Sequence, residues 1–274
     1  MNEQLASQFS WLKTLAIGGG SADMRHGLIR LTLPPTPAAR YADAQVDDYH
    51  NLRRRHFPWR PPLRMTLRAR MSHPSATSSA TAATGAHLRG TAGFGFWNNP
   101  FTLSGGGVVA APSVVWFFYA SPPSDMALVE GVPGWGWKAA ALDSARLPGF
   151  VLAPAALVAV LLTKVPGLGR PVMTVARGAM RVSERQLPVD MTSTHTYRLE
   201  WGEREAGFYV DDELAMRAPD PPRGPLGFVA WLDNQYAIAT PQGRFGFGVV
   251  ETTEPQWMEL ESIDIIPTRS GQAV

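Results

Sequence analysis

The sequence predicts an all-β protein, a β-sandwich or jelly roll of two antiparallel sheets, and three observations lead there. Glycine and proline are frequent, 26 and 24 among 274 residues, and break the chain too often for long helices. Between the breaks, short segments alternate apolar and polar residues at the period of a half-buried strand. Hydrophobic residues make up 45% against 18% charged, with a net charge of only +2, so the chain can build a core and disorder is excluded.

The strands follow in order. Leu28 to Leu33 alternates, as do Leu63 to Met71 and Gly93 to Trp97, each bounded by Gly, Pro or Asn. After a Ser/Thr/Ala loop (Ser75 to Gly85) and a compositionally different middle, Thr196 to Trp201, Gly207 to Val210, Leu226 to Leu232, Phe245 to Val250 and Trp257 to Ile266 read the same way. About eight to twelve short strands suit a sandwich. One domain over residues 1–274 is expected, with a mainly helical, apolar insertion over 126–189. Within it Leu147 to Thr163 carries no charge and contains Pro154. About 20 apolar residues span a bilayer, so no membrane span is predicted. A helix from Ala155 to Lys164 could pack on the sandwich, cover a pocket as a lid, or touch a membrane surface. A second helix is expected over Pro171 to Gln186, with Val172, Val175, Ala179 and Val182 on one face and Arg177, Arg181 and Arg185 on another.

Charge narrows the partners. Lys and Arg total 25 against 23 Asp and Glu, so nucleic acid is not indicated. Arg53, Arg54, Arg55, Arg60, Arg64, Arg68 and Arg70 crowd eighteen residues. They read as a basic turn followed by a strand whose alternate Arg64, Arg68 and Arg70 face solvent; a phosphate-binding patch is the other reading. The first twenty residues lack a signal-peptide pattern, since Glu3 comes early and Lys13 interrupts the apolar run Trp11 to Ile17. A cytoplasmic protein is therefore expected, and the absence of cysteine decides nothing.

The C-terminal third reads His195-Thr196-Tyr197-Arg198-Leu199-Glu200-Trp201, a turn, then Phe208-Tyr209-Val210-Asp211-Asp212-Glu213-Leu214. This resembles a hairpin of the concanavalin A-like sandwiches, especially glycoside hydrolase family 16, the laminarinase and lichenase group, in which Asp-Gly usually fills the turn where Asp211-Asp212 stands. Leu63 to Met71, Gly93 to Asn98 and Trp257 to Ile266 resemble three further strands in that family's order. The likeness covers about two thirds of the chain and implies a concanavalin A-like jelly roll. It also implies a retaining mechanism run by carboxylates on one strand, Glu-x-Asp-x-Glu or Glu-x-Asp-x-x-Glu, with a nucleophile and an acid/base about 5 Å apart. The segment in register begins Ser113-Val114-Val115-Trp116-Phe117-Phe118. Ser113 takes the nucleophile's place, Val115 that of the helper aspartate, and Phe117 or Phe118 that of the acid/base, so the carboxylates are gone.

Loss of those carboxylates turns a wet cleft into an apolar one. The expected wall comprises Phe94, Phe96, Trp97, Ser113, Val115, Phe117, Trp231 and Tyr236, with Asn98, Asn99, Asn234 and Gln235 as polar anchors. Many of these aromatics would belong to the core between the sheets. For acid/base chemistry Asp233 is the first candidate, because a desolvated acid has a raised pKa, and Glu200, beside Trp201, is the second. The favoured function is non-hydrolytic binding of an apolar or aromatic small molecule in the former sugar cleft. Its rivals are an enzyme using the same cavity for cyclisation, isomerisation or elimination, a carbohydrate-binding protein stacking sugars on Trp97, Trp231 and Tyr236, and a glycosidase with relocated carboxylates. No cofactor is expected. The six histidines show no metal-ligand spacing, and Asp47-Asp48-Tyr49-His50 reads as a solvated turn. The resembled family carries a calcium near the position of Glu261, but no metal is predicted here.

Overall fold

The computed structural model describes residues 9–76, 87–100, 112–127, 129, 131–144, 181–240 and 244–268. These form β1 (Lys13–Ile17), β2 (Ser21–Arg25), β3 (Leu28–Leu33), β4 (Asp43–Asp47), β5 (Leu63–Met71), β6 (Thr91–Trp97), β7 (Ser113–Ala120) and β8 (Gly136–Asp143). The second half adds β9 (Arg181–Gln186), β10 (His195–Trp201), β11 (Glu205–Val210), β12 (Glu213–Pro219), β13 (Gly227–Asp233), β14 (Gln235–Ala239), β15 (Phe245–Val249) and β16 (Gln256–Pro267). Two seven-stranded sheets stack as a jelly-roll sandwich, β1-β4-β13-β6-β7-β8-β9 on β12-β11-β10-β5-β16-β3-β2, while β14 and β15 make a separate hairpin. None of the described residues is in an α-helix, and so none forms a helix able to cross a membrane.

Alternation decides which side chains face inward. On β5, Leu63, Met65, Leu67, Ala69 and Met71 are buried while Arg68 and Arg70 are exposed, as the sequence predicts. Their charges are met across the sheet: Glu259 takes Arg30 and Arg70 at 2.7 Å each, and Glu261 takes Arg68 at 3.0 Å. The Arg30 guanidinium lies 4.4 Å from the Trp257 ring. Arg68 and Arg70 are thus part of a cross-strand charge ladder, and the carboxylate of Glu261 is engaged by arginine. No cluster among the described residues could hold a metal ion.

The core fills the space between the sheets. Phe94 and Phe117 each approach the Tyr197 ring at 5.1 Å, Phe117 meets Phe208 at 5.4 Å, and Phe96 meets Trp201 at 5.3 Å. Such pairs contribute about 0.5–1.5 kcal/mol each beyond area burial. Buried polar tips find partners: Trp201 Nε1 donates to the Pro222 carbonyl at 2.7 Å and the Tyr119 hydroxyl to that of Leu88 at 2.7 Å. The β11–β12 turn is made by Asp211 and Asp212, both at positive φ (49° and 66°), the conformation a two-residue type I′ hairpin requires.

The expected helical insertion over 126–189 needs correction. It contributes β8 and β9 to the first sheet, so the helix expected over Pro171 to Gln186 is replaced at its end by strand Arg181–Gln186. The physical reason is that Val182-Ser183-Glu184-Arg185-Gln186 reads equally well at period two, and pairing with the open edge of β8 satisfies its backbone groups. Residues 145–180, including the apolar run Leu147 to Thr163 and the helix expected over Ala155 to Lys164, lie outside the described residues.

Candidate functional site

The site is built on the outer face of the first sheet, opposite the core. Register places Val229, Gly95 and Trp116 in one cross-strand row, Gln45, Trp231, Gly93 and Phe118 in the next, and Asp43, Asp233, Thr91 and Ala120 in a third. Gly93 lies between Trp231 and Phe118 and leaves a trough that the Trp231 indole covers; a Cβ there would collide with that ring and with the Phe117 carbonyl. Trp116 is the hub, 5.5 Å from Phe118 in a stacked pair, 5.0 Å from Trp231 and 6.0 Å from Trp97. Tyr49 closes the end, with the Trp97 indole donating to its hydroxyl at 2.7 Å. Phe118 and Trp231 are buried, whereas Trp97 and Trp116 are half-buried and present ring surface.

Acids border these aromatics. Asp43 and Asp233 are direct cross-strand partners, and Asp47 follows on the same face of β4. Opposed side chains in an antiparallel pair have Cβ atoms about 5 Å apart. Asp233 Oδ1 accepts from the Thr91 hydroxyl at 2.8 Å and from the Gln235 amide at 2.9 Å, and the Trp231 indole donates to that same Thr91 hydroxyl at 3.0 Å. Aromatic wall and acid therefore form one connected unit. Burial nevertheless pushes Asp233 up to about 6. Burial first, then the charges of Asp233 and Asp47, push Asp43 up to about 8. Near neutral pH the pair holds roughly one proton.

Several expected site residues lie elsewhere. Phe94, Phe96, Val115 and Phe117 face the core at 0% exposure, because their parity on β6 and β7 points them at the second sheet. The outward residues of β7 are Val114, Trp116, Phe118 and Ala120, one position out of step with the expected face. Ser113 is on the inward parity at the strand's end, where its hydroxyl donates to Asp143 at 3.4 Å. Glu200 sits on the outer face of the opposite sheet, paired with Arg198 and accepting from the Tyr209 hydroxyl, so the sandwich separates it from Asp233. Asn98 accepts from the Ser113 amide at 3.0 Å, and Asn99 is a turn residue with φ 46°. Gln235 is exposed and Tyr236 half-buried on the β14–β15 hairpin.

Asn234 is a staple. Its Oδ1 accepts from the Ala42 amide and its Nδ2 donates to the Arg40 and Val250 carbonyls, all at 2.9 Å, with no exposure. Asn234→Ala is expected to lower the unfolding free energy by about 2–4 kcal/mol in urea titrations, since it orphans buried backbone groups.

Four contributors were missed in the sequence: Trp116, Tyr49, Asp43 and Gln45. In the segment expected as a solvated turn, Asp47 and Tyr49 are instead buried and Asp48 half-buried, while His50 is exposed. Asp47 accepts from the Tyr49 amide at 3.1 Å and Gln45 Nε2 at 2.8 Å, and Asp48 accepts from the Phe228 amide at 2.9 Å. The signal for Asp43 and Asp47 was the period of Asp43-Ala44-Gln45-Val46-Asp47, which alternates polar outward and apolar inward.

No protein-family model matches the chain, and no curated protein does. Solved structures with similar folds include a glycoside hydrolase family protein from Mycobacterium thermorestibile, with 12% identity, 90% of this chain and 79% of that chain covered, and a TM-score of 0.46. The pseudo beta-1,3-glucanase of Mycobacterium tuberculosis follows with 10% identity, coverage of 91% and 79%, and a TM-score of 0.44. The catalytic domain of a laminarinase from Thermotoga petrophila has 13% identity, coverage of 89% and 79%, and a TM-score of 0.41. At these identities the likenesses assign no role to any residue of this chain.

Proposed function

We propose that the protein is a non-hydrolytic relative of the family 16 glycosidases that binds a small molecule with an apolar or aromatic face on the outer surface of its first sheet. The observation that carries this reading is the composition of β7. Its outward positions are Val114, Trp116, Phe118 and Ala120, so the strand that should carry the family's carboxylates carries none there and presents the half-buried Trp116 ring instead. Trp97 and Trp116 supply the wall, and the Asp43–Asp233 pair supplies a polar anchor able to donate or accept a hydrogen bond. The half-buried Trp97 and Trp116 rings are tilted by 33°, a departure from the coplanar platform of a glycan-binding surface.

A second reading has its own observation. Two buried acids in cross-strand register that share about one proton are an acid/base pair, so an enzyme that isomerises, cyclises or eliminates on an apolar substrate would find its proton donor in Asp43 and its base in Asp233.

Titration with 2-naphthol and with laminarihexaose, followed calorimetrically, tests the binding reading. The expected result is 2-naphthol binding that Trp116→Ala weakens at least about tenfold, equivalent to 1.4 kcal/mol, and no hydrolysis of the oligosaccharide. Preferential laminarihexaose binding would return the face to carbohydrate recognition.

A further inference from the structure

A separate cavity of about 480 Å³ opens at the end of the sandwich, where Asn98 and Ser113 leave the ends of β6 and β7. Its wall holds Arg54, Arg55 and Arg223, with Asp143 as the carboxylate, and the segment Pro222 to Leu226 gives it an apolar side. The volume is that of a small-molecule site.

The wall is held by its backbone. Arg54 Nε donates to the Asn98 carbonyl at 3.0 Å and Nη2 to that of Asn99 at 2.9 Å, which fixes its guanidinium. The loop that presents Arg223 is tied down on both sides. The amide and carbonyl of Leu226 pair with those of Trp59 at 2.9 and 3.0 Å, and the Pro222 carbonyl takes the Trp201 indole. Gly224, at φ +69°, lies against the Trp59 carbonyl where a Cβ would crowd it. Arg30, Arg68, Arg70, Arg198 and Arg217 meet carboxylates, whereas Arg55 and Arg223, like Arg40, Arg53, Arg60 and Arg64 elsewhere, are in no ion pair among the described residues. What distinguishes Arg55 and Arg223 is that they line this cavity. Arg55 Nε meets only the His56 ring at 3.1 Å.

We propose that this cavity is a second binding site, for a small organic anion whose carboxylate or phosphate is gripped by Arg55 and Arg223 while its apolar part lies on the Pro222–Leu226 wall. Guanidinium pairs with such groups bidentately and with charge assistance. The site is independent of the aromatic face.

Calorimetry at fixed ionic strength with benzoate, phenyl phosphate and benzyl alcohol tests it, the first two separating a carboxylate from a phosphate ligand and the third supplying the neutral counterpart. The expected result is saturable binding of at least one anion, none of benzyl alcohol, and a loss of about tenfold in Arg223→Gln and in Arg55→Gln. Both side chains are exposed, so unchanged thermal melting of the variants verifies the fold, and Trp116→Ala should leave this binding intact. Absence of saturable anion binding, equal binding of benzyl alcohol, or affinity indifferent to both substitutions would overturn the proposal without touching the aromatic face.

Discussion

Asp43→Asn is expected to stabilise the protein at pH 8 and to leave it nearly unchanged at pH 4. Burial and the neighbouring Asp233 and Asp47 raise Asp43 from 3.8 to about 8. The folded state therefore binds this proton more tightly than the unfolded chain does. Stability contributed by the neutral acid is complete below about 4 and is lost as pH rises toward 8. A tenfold difference in proton affinity between the folded and unfolded chain is worth about 1.4 kcal/mol, so relief at pH 8 is on the order of 3 kcal/mol or more. Urea denaturation of wild type and variant at the two pH values gives the answer. An identical difference at both would mean that Asp43 is ionised and solvated in the folded protein. Asp233→Asn should behave alike over a lower window, between about 4 and 6.

Adjacent aromatics on β7 should respond in opposite ways. Phe117 is fully buried among Phe94, Tyr197 and Phe208, and Phe117→Ala should lower stability by about 3–5 kcal/mol, the range for deleting a core phenyl ring. Trp116, half-buried on the other face, should lose less than half as much on truncation while losing ligand binding. Chemical denaturation and ligand titration of both variants separate packing from recognition. If Phe117→Ala were the milder change, the faces of β7 would be exchanged.

That exchange is the point at which sequence reasoning slipped. β5 was legible because Arg64, Arg68 and Arg70 mark its wet side, and the Asp211-Asp212 turn was legible from its chemistry. β7 reads Ser-Val-Val-Trp-Phe-Phe-Tyr-Ala, apolar on both faces, and alternation carries no information where neither face is polar. Its parity is set by β6, where Phe94 and Phe96 must face the core while Gly93 and Gly95 line the outer trough. Displacement by one position exchanged Val115 and Phe117 for Trp116 and Phe118. Asn234 looked like an anchor because amides beside aromatics suit a ligand, yet two loop carbonyls and an amide claim it. Asp233 was legible, since a carboxyl at the end of an apolar strand must be desolvated, but its partner Asp43 lies about 190 residues away in the chain and only strand pairing brings them together. The edge strand β9 was hidden by a helical pattern of valines that a two-residue period fits as well.

Binding on the aromatic face is the central claim, and native mass spectrometry of the protein purified from its own host extract tests it most directly. Wild type should carry a small molecule that is released on denaturation, and the Trp97→Ala and Trp116→Ala variants, purified identically, should carry much less of it. A wild-type protein that carries no molecule lost from these two variants and that also takes up no 2-naphthol would contradict the account.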